Sequence, residues 1–231
     1  MSKSQAANGT SRTEPGYPLP WVWKFPFRSG RLCLDFVSTL GSRRSLELER
    51  LASPSDLRRW AHEAGIAEPQ RVDRADLARA LKLREAIYAL LTDGPLDRSE
   101  AVATINLAAG HPPLVPQLDI SGQQSTWVPT AGINQVLSTI ARDAIDVLSG
   151  PIRARVKECA GADCTILFLD TSRPGTRRWC SMEVCGNQIK SAVLRAKRKA
   201  AHSSSVKRSN SGSTAHGRIA KPSGQARPYG E

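Results

Sequence analysis

Cys159-Ala-Gly-Ala-Asp-Cys164 and Cys180-Ser-Met-Glu-Val-Cys185 place four of the five cysteines in two pairs, with fifteen residues between them. In a reducing compartment, cysteines this close together are thiolate ligands more often than disulfides. Buried thiols or a redox pair are the plainer readings. Two pairs at this spacing favour one structural Zn2+ held by Cys159, Cys164, Cys180 and Cys185. Four cysteine ligands leave no open coordination position for water, so such a site is structural rather than catalytic. Without metal the segment should be largely unfolded.

The residues between the pairs read as a β-hairpin: an apolar run Ile166-Leu-Phe-Leu169, a turn Asp170-Thr-Ser-Arg-Pro-Gly-Thr176, and a second short run Arg177-Arg-Trp179. The second pair opens a helix. Two residues five apart on a continuous α-helix differ by about 140° in projection, so Cys180 and Cys185 could not both reach one metal from within it. With Ser181 as N-cap, Cys180 precedes the cap and Cys185 takes the fourth helical position, the two positions whose side chains meet in a hydrophobic staple. Ile189, Val193, Ala196 and Ala200 continue the face of Cys185 and would pack on the hairpin. The expected build is knuckle, hairpin, helix, a treble-clef-like zinc finger. A loose zinc ribbon is the alternative.

Charge sets this segment apart from the rest of the 231 residues. Residues 1–150 carry 17 Lys+Arg against 16 Asp+Glu, and residues 151–231 carry 16 against 5, so nearly all of the net +12 lies in the last third. A field that concentrated attracts polyanions, with nucleic acid ahead of an anionic membrane surface. Solubilising surface charge is the plainer reading of any one basic run. Here the excess coincides with the cysteine module, and Arg173, Arg177, Arg178, Lys190, Arg195, Lys197, Arg198 and Lys199 are the expected phosphate contacts. Asn187 and Gln188 are candidates for base edges if the helix start enters the major groove. The start of the chain has no apolar h-region and no apolar run is long enough to span a bilayer, so the expected location is cytoplasmic.

The N-terminal part reads as helical. Ser53 with Pro54 and Asp56, Asp73 with Asp76, and Asp97 with Glu100 are N-cap signals. Helical stripes follow them: Leu57, Trp60, Ala61 and Ala64; Leu77, Ala80, Leu81, Arg84, Ile87 and Leu91; Val102, Ile105 and Ala109. Residues 114–119 and 125–128 flank Ser121-Gly122 as a short hairpin. Ile133, Val136, Leu137, Ile140, Ala144, Val147 and Leu148 form the best-defined helix, which Gly150-Pro151 ends. Gly30–Leu40 is apolar and fits strand or helix. The expected organisation is a disordered tail over 1–20, a helical domain over 21–150, the zinc module over 151–201 and a disordered basic tail over 202–231.

Single residues read more plainly. Trp179 covers the metal site more readily than it stacks on a base. Gly186 inside a helix implies close approach of the first knuckle. Asp170 caps its turn, and Cys33 is a buried small hydrophobe. No nucleophile stands with a base and no phosphate loop is present, which argues against an enzyme.

The run Cys159 to Gln188, with Cys164-Thr-Ile-Leu-Phe-Leu-Asp-Thr-Ser-Arg173 and Arg177-Arg-Trp-Cys-Ser-Met-Glu-Val-Cys-Gly-Asn-Gln188, resembles the CGNR zinc-finger family of bacterial regulators. In that family such a finger follows a mostly helical domain, ABATE, of stress-induced transcription regulators. Gly30-Arg-Leu-Cys-Leu-Asp-Phe-Val-Ser-Thr39 resembles the start of that domain, and the likeness spans about residues 24–200. Gln188 stands where the family motif has arginine, and Ser38 where asparagine is expected after Phe-Val. The first exchange removes a bidentate donor, though glutamine can still pair with an adenine edge.

The resemblance and the residue reading converge on a mainly α protein: a helical domain with a short β-hairpin, then the four-cysteine finger. The implied function is zinc-dependent DNA binding in transcriptional regulation, with the helical domain sensing a small-molecule effector or forming a homodimer. A protein-interaction module scaffolded by the finger is the alternative.

Overall fold

Ser53, Asp73 and Asp97 each start a helix in the computed structural model, which describes residues 24–66, 68–92, 94–128 and 131–187. Ser53 Oγ accepts from Asp56 N–H ahead of α2, Pro54–Glu63. Asp73 and Asp76 form a reciprocal box at 2.8 and 3.0 Å ahead of α3, Arg74–Thr92. Asp97 accepts from Ser99 and Glu100 N–H ahead of α4, Arg98–Ala109. Each carboxylate or hydroxyl satisfies helix donors that have no partner within the helix. The long amphipathic helix, here α5, runs Ile133–Ser149 and ends at Gly150 as its pattern predicts.

The apolar segment after Gly30 resolves as a helix, α1 at Leu32–Val37. Its own N-cap, Arg31, offers no acceptor, so Asp143 of α5 accepts from Cys33 N–H at 2.8 Å while pairing with Arg31. Cys33, Leu34 and Phe36 are completely buried, and Phe36 meets Trp60 of α2 edge-on at 5.0 Å. Ser38, at the position where asparagine is expected, is also buried. Its hydroxyl donates to Leu34 O at 2.8 Å and lies 3.2 Å from Ser29 Oγ. A serine therefore satisfies that site.

Among the described residues, three two-stranded antiparallel ribbons accompany the helices. Leu40–Gly41 (β1) pairs Leu48–Glu49 (β2), Pro116–Leu118 (β3) pairs Ser125–Trp127 (β4), and Val156–Glu158 (β5) pairs Leu167–Leu169 (β6). The β3–β4 ribbon is the short hairpin expected around Ser121-Gly122, with Gly122 at φ +67°.

One stripe differs from its sequence reading, and another carries a charge into the core. On α4 the buried side is Ala101 and Ile105, leaving Val102 exposed. Alanines at neighbouring positions make the two registers nearly indistinguishable by hydropathy. On α3, Arg84 does lie on the buried side, but as a charge: it is 3% exposed and forks onto both oxygens of Glu49 at 2.7 Å.

The strand at Leu167–Leu169 joins the helices to the cysteines. Side chains alternate across a strand. Leu167 and Leu169 pack into the helical core with Ile152 and Val156, whereas Ile166 and Phe168 pack with the cysteines. Leu169 N–H donates to Ser29 O at 2.8 Å, and Arg43 N–H to Thr165 Oγ1 at 3.1 Å. Helices and cysteine hairpin thus belong to one compact unit through Cys185. The tails at 1–20 and 202–231, and the helical face from Ile189 to Ala200, lie outside the described residues.

Candidate metal centre

Cys159 and Cys164 sit at the tip of the β5–β6 hairpin. The ladder closes with Cys159 N–H donating to Ile166 O at 2.9 Å, and Cys164 N–H donates back to Gly161 O at 3.1 Å, which makes the knuckle. Gly161 is the residue that this bend requires without a side chain. A Cβ there would stand 3.0 Å from Cys164 Cβ and 3.6 Å from the sulfurs of Cys159 and Cys185.

This hairpin corrects the expected one. Leu167–Leu169 pairs with Val156–Glu158, ahead of the first cysteine, and not with Arg177–Trp179. The reason lies in where the backbone groups of the second run are engaged. Arg177 N–H is taken by the Asp170 carboxylate at 2.9 Å, and Arg178 O accepts from Ala160 N–H at 2.9 Å, on the knuckle. The order knuckle, hairpin, helix therefore becomes a hairpin carrying the knuckle, followed by a loop and a helical turn.

Asp170 organises that loop. Completely buried, it accepts from Ser172 N–H at 3.0 Å, Ser172 Oγ at 2.6 Å, Arg177 N–H, and Lys157 Nζ at 2.8 Å. Its carboxyl is held well below the usual carboxylate range, first by Lys157 and then by Ser172. The turn-capping role expected for it is the one it has.

The loop delivers Cys180 beside Cys159, whose Sγ accepts from Cys180 N–H at 3.3 Å. Ser181 then caps as expected: its Oγ accepts from Val184 N–H at 3.3 Å and its O from Cys185 N–H at 3.2 Å. The turn that follows, Met182–Gly186, is π-helical. With Cys180 outside this turn and Cys185 inside it, their sulfurs come within 3.6 Å.

All four sulfurs lie within 4.8 Å of one another, with Cys164 and Cys180 3.8 Å apart. A regular tetrahedron with zinc–sulfur bonds of about 2.3 Å has edges of about 3.8 Å. The donor set fits one structural Zn2+. Among the described residues it is the one cluster of three or more side chains able to hold a metal. Crowding polarises the thiols against one another: Cys164, Cys180 and Cys185 can all donate to Cys159 and hold it well below the ordinary thiol range, while Cys164 is pushed up by its neighbours. Zinc supplies the positive charge under which all four shed their protons.

The surroundings are apolar. Cys159, Cys180 and Cys185 are buried with Ile166 and Phe168, and Trp179 and Val184 pack against them, so Trp179 covers the site. Arg177 faces inward. Its guanidinium lies 4.7 Å over the Phe168 ring and donates to Trp179 O at 2.8 Å and to Cys180 O. Arg173, Arg178 and Asn187 are exposed, and Arg178 lies 5.5 Å from the Trp179 ring. Gln188, Lys190, Arg195, Lys197, Arg198 and Lys199 lie outside the described residues.

Residues 30–151 match the family model ABATE, described as "Putative stress-induced transcription regulator". The chain belongs to the ABATE family. Residues 155–198 match the CGNR zinc finger, in the same order along the chain. No curated protein matches the chain. In this ABATE protein the junction between the two matches falls on the segment Pro151–Arg155, just ahead of the strand that presents the first cysteine. Both families are regulatory or zinc-finger in kind. Among the described residues no helix is long and apolar enough to cross a membrane.

Proposed function

We propose that this chain is a cytoplasmic, zinc-dependent DNA-binding transcriptional regulator. Cys159, Cys164, Cys180 and Cys185 hold one structural zinc, and the helical domain senses an effector or forms a homodimer. The observation that carries the reading is the four-sulfur cluster built on a basic segment and joined to a transcription-regulator domain. Zinc does no chemistry in this reading. It fixes the loop that carries Arg173 and Arg178; Asn187, Gln188 and the basic residues up to Lys199 are further proposed contacts. Phosphate contacts supply affinity that falls with salt, and base edges read near Asn187 supply specificity.

The test is selection of bound genomic fragments at physiological salt by the full chain, by a chain ending at Ala201, and by the Cys180→Ser variant. Enrichment of one motif by the first two and not the third supports the reading. Equal enrichment by all three overturns zinc dependence. Enrichment by none favours a protein-interaction module, for which the exposed side chains of Val115, Leu118 and Ile120 around the β3–β4 ribbon offer an apolar surface.

A further inference from the structure

Between α3, α4 and α5 lies a cavity of about 310 Å3 that the metal centre does not use. Its apolar wall comes from Leu83 and Leu137, 1% and 5% exposed, with Ala108; Leu107, 75% exposed, stands at the mouth. Among the described residues, the charged and titratable side chains that line it are Arg79, Lys82 and His111, and no carboxylate does. Two larger clefts on this domain differ in that respect. One combines Arg58 with Glu68, the other Arg58 and Arg71 with Asp73 and Asp76, so neither selects a sign of charge.

We propose that this cavity binds a small organic anion with an apolar body, of the size of a medium-chain or aryl carboxylate. The volume corresponds to about ten waters at about 30 Å3 each, which matches a ligand of about ten non-hydrogen atoms. The body would cover Leu107 and displace water from Leu83 and Leu137, where apolar contact is favourable. The head group would meet Arg79 and Lys82. Both cations already have acids within reach, Asp76 for Arg79 and Glu100 at 3.1 Å for Lys82. The Lys82–Glu100 pair is exposed on both sides, and such pairs contribute little, so exchange there for a ligand carboxylate costs little; Arg79, 52% exposed, has further N–H donors besides the one that Asp76 takes. The mouth is preformed: His111 O accepts from Ser138 Oγ at 2.6 Å and from Arg142, which anchors the end of α4 to α5.

The site stands on the cavity alone, whereas its role as the effector site rests on the regulator reading above. Binding is measured by calorimetry on the full chain with octanoate, 3-phenylpropionate and octan-1-ol. The expected result is saturable binding of one or both carboxylates with a Kd of about 1 mM or tighter, and weaker binding of the alcohol. The two acids distinguish an aliphatic from an aromatic body. In the Arg79→Gln/Lys82→Gln variant, carboxylate affinity falls about tenfold and that of the alcohol stays within about twofold. Ala108→Trp fills the cavity and abolishes both, and the charge variant carries the test if that protein fails to fold. No saturable binding overturns the site, and equal binding of acid and alcohol overturns the anionic class. DNA affinity is measured separately with and without the bound carboxylate. A change of about fivefold supports the effector role, and binding with no change overturns that role while the site stands. Failure to bind DNA in either state counts against the regulator and leaves the cavity result intact.

Discussion

Arg177 and Arg178 are neighbours in sequence and opposite in role. Arg177 stacks on Phe168 and holds the carbonyls of Trp179 and Cys180, so it orients the backbone from which Cys180 reaches the metal. Lysine cannot reproduce a stacked, two-carbonyl fork. Arg177→Lys should therefore weaken zinc binding about 10–100-fold in a chelator competition, as changes around metal ligands commonly do. Arg178→Ala, at an exposed position, should leave zinc affinity unchanged and reduce the slope of log affinity for DNA against log salt by about one. Asp170 is testable by pH. Its folded carboxyl titrates below the unfolded value of about 3.9. Its stabilisation is thus complete above that value and is lost as pH falls through it toward the folded one. Urea unfolding between pH 6 and 2 should show a shallower acid loss for Asp170→Asn than for the unaltered chain, and a lower midpoint at pH 6. An unchanged slope would remove Asp170 from the account. These residues also mark where reading the chain stops short. The cysteines, Ser181 and the turn role of Asp170 were legible because each follows from a local spacing. The inward set of Arg177 was not, since nothing in Arg177-Arg178-Trp179 says which guanidinium meets the ring of Phe168.

Among the elements, β6 carries the most structural consequence per residue. The apolar run that contains it, Ile166–Leu169, was legible as a hairpin strand. Its partner was not: Val156-Lys-Glu158 offers a single apolar side chain, and the Pro-Gly turn pointed downstream instead. The helix starts were legible because a cap is a local device, whereas the rotation of α4 and the buried charge of Arg84 depend on what the neighbouring helices present. The alternation along β6 makes a separable prediction. Phe168→Ala removes a completely buried ring from the cysteine cluster and the surface under Arg177. It should cost about 3–5 kcal/mol and weaken zinc binding. Leu167→Ala, on the opposite face, should cost about 2–5 kcal/mol in the helical core and change zinc affinity far less. Urea denaturation with far-ultraviolet circular dichroism, paired with chelator competition, reads both quantities on each variant. Equal losses of zinc affinity would mean that the two faces are not independent.

At the scale of the whole molecule, the same strand makes metal binding a matter for the helices. A zinc finger tethered by a linker would unfold on chelation and leave its neighbour unaffected. Here Leu167 is part of the helical core, Leu169 N–H bonds to Ser29 just ahead of α1, and Arg43 and Arg44 of the β1–β2 loop bind Thr165 and Glu158 of the cysteine hairpin. Any ligand that binds only the folded state stabilises it by mass action, by about 4 kcal/mol when its free concentration is a thousand times Kd. In a unit of this size each kcal/mol moves the midpoint by about 2–4 °C, so chelation should lower the thermal midpoint of the helical signal by roughly 8–16 °C. The measurement follows ellipticity at 222 nm and tryptophan fluorescence through the same melt, with and without chelator. With zinc the two curves should coincide as one transition. After chelation the helical curve should shift down as a whole, since Leu167 and Leu169 leave the core when their strand loses its other face. A helical midpoint that stays put while only the fluorescence changes would show the cysteine hairpin unfolding on its own, and would separate the two family segments that β6 joins in this fold.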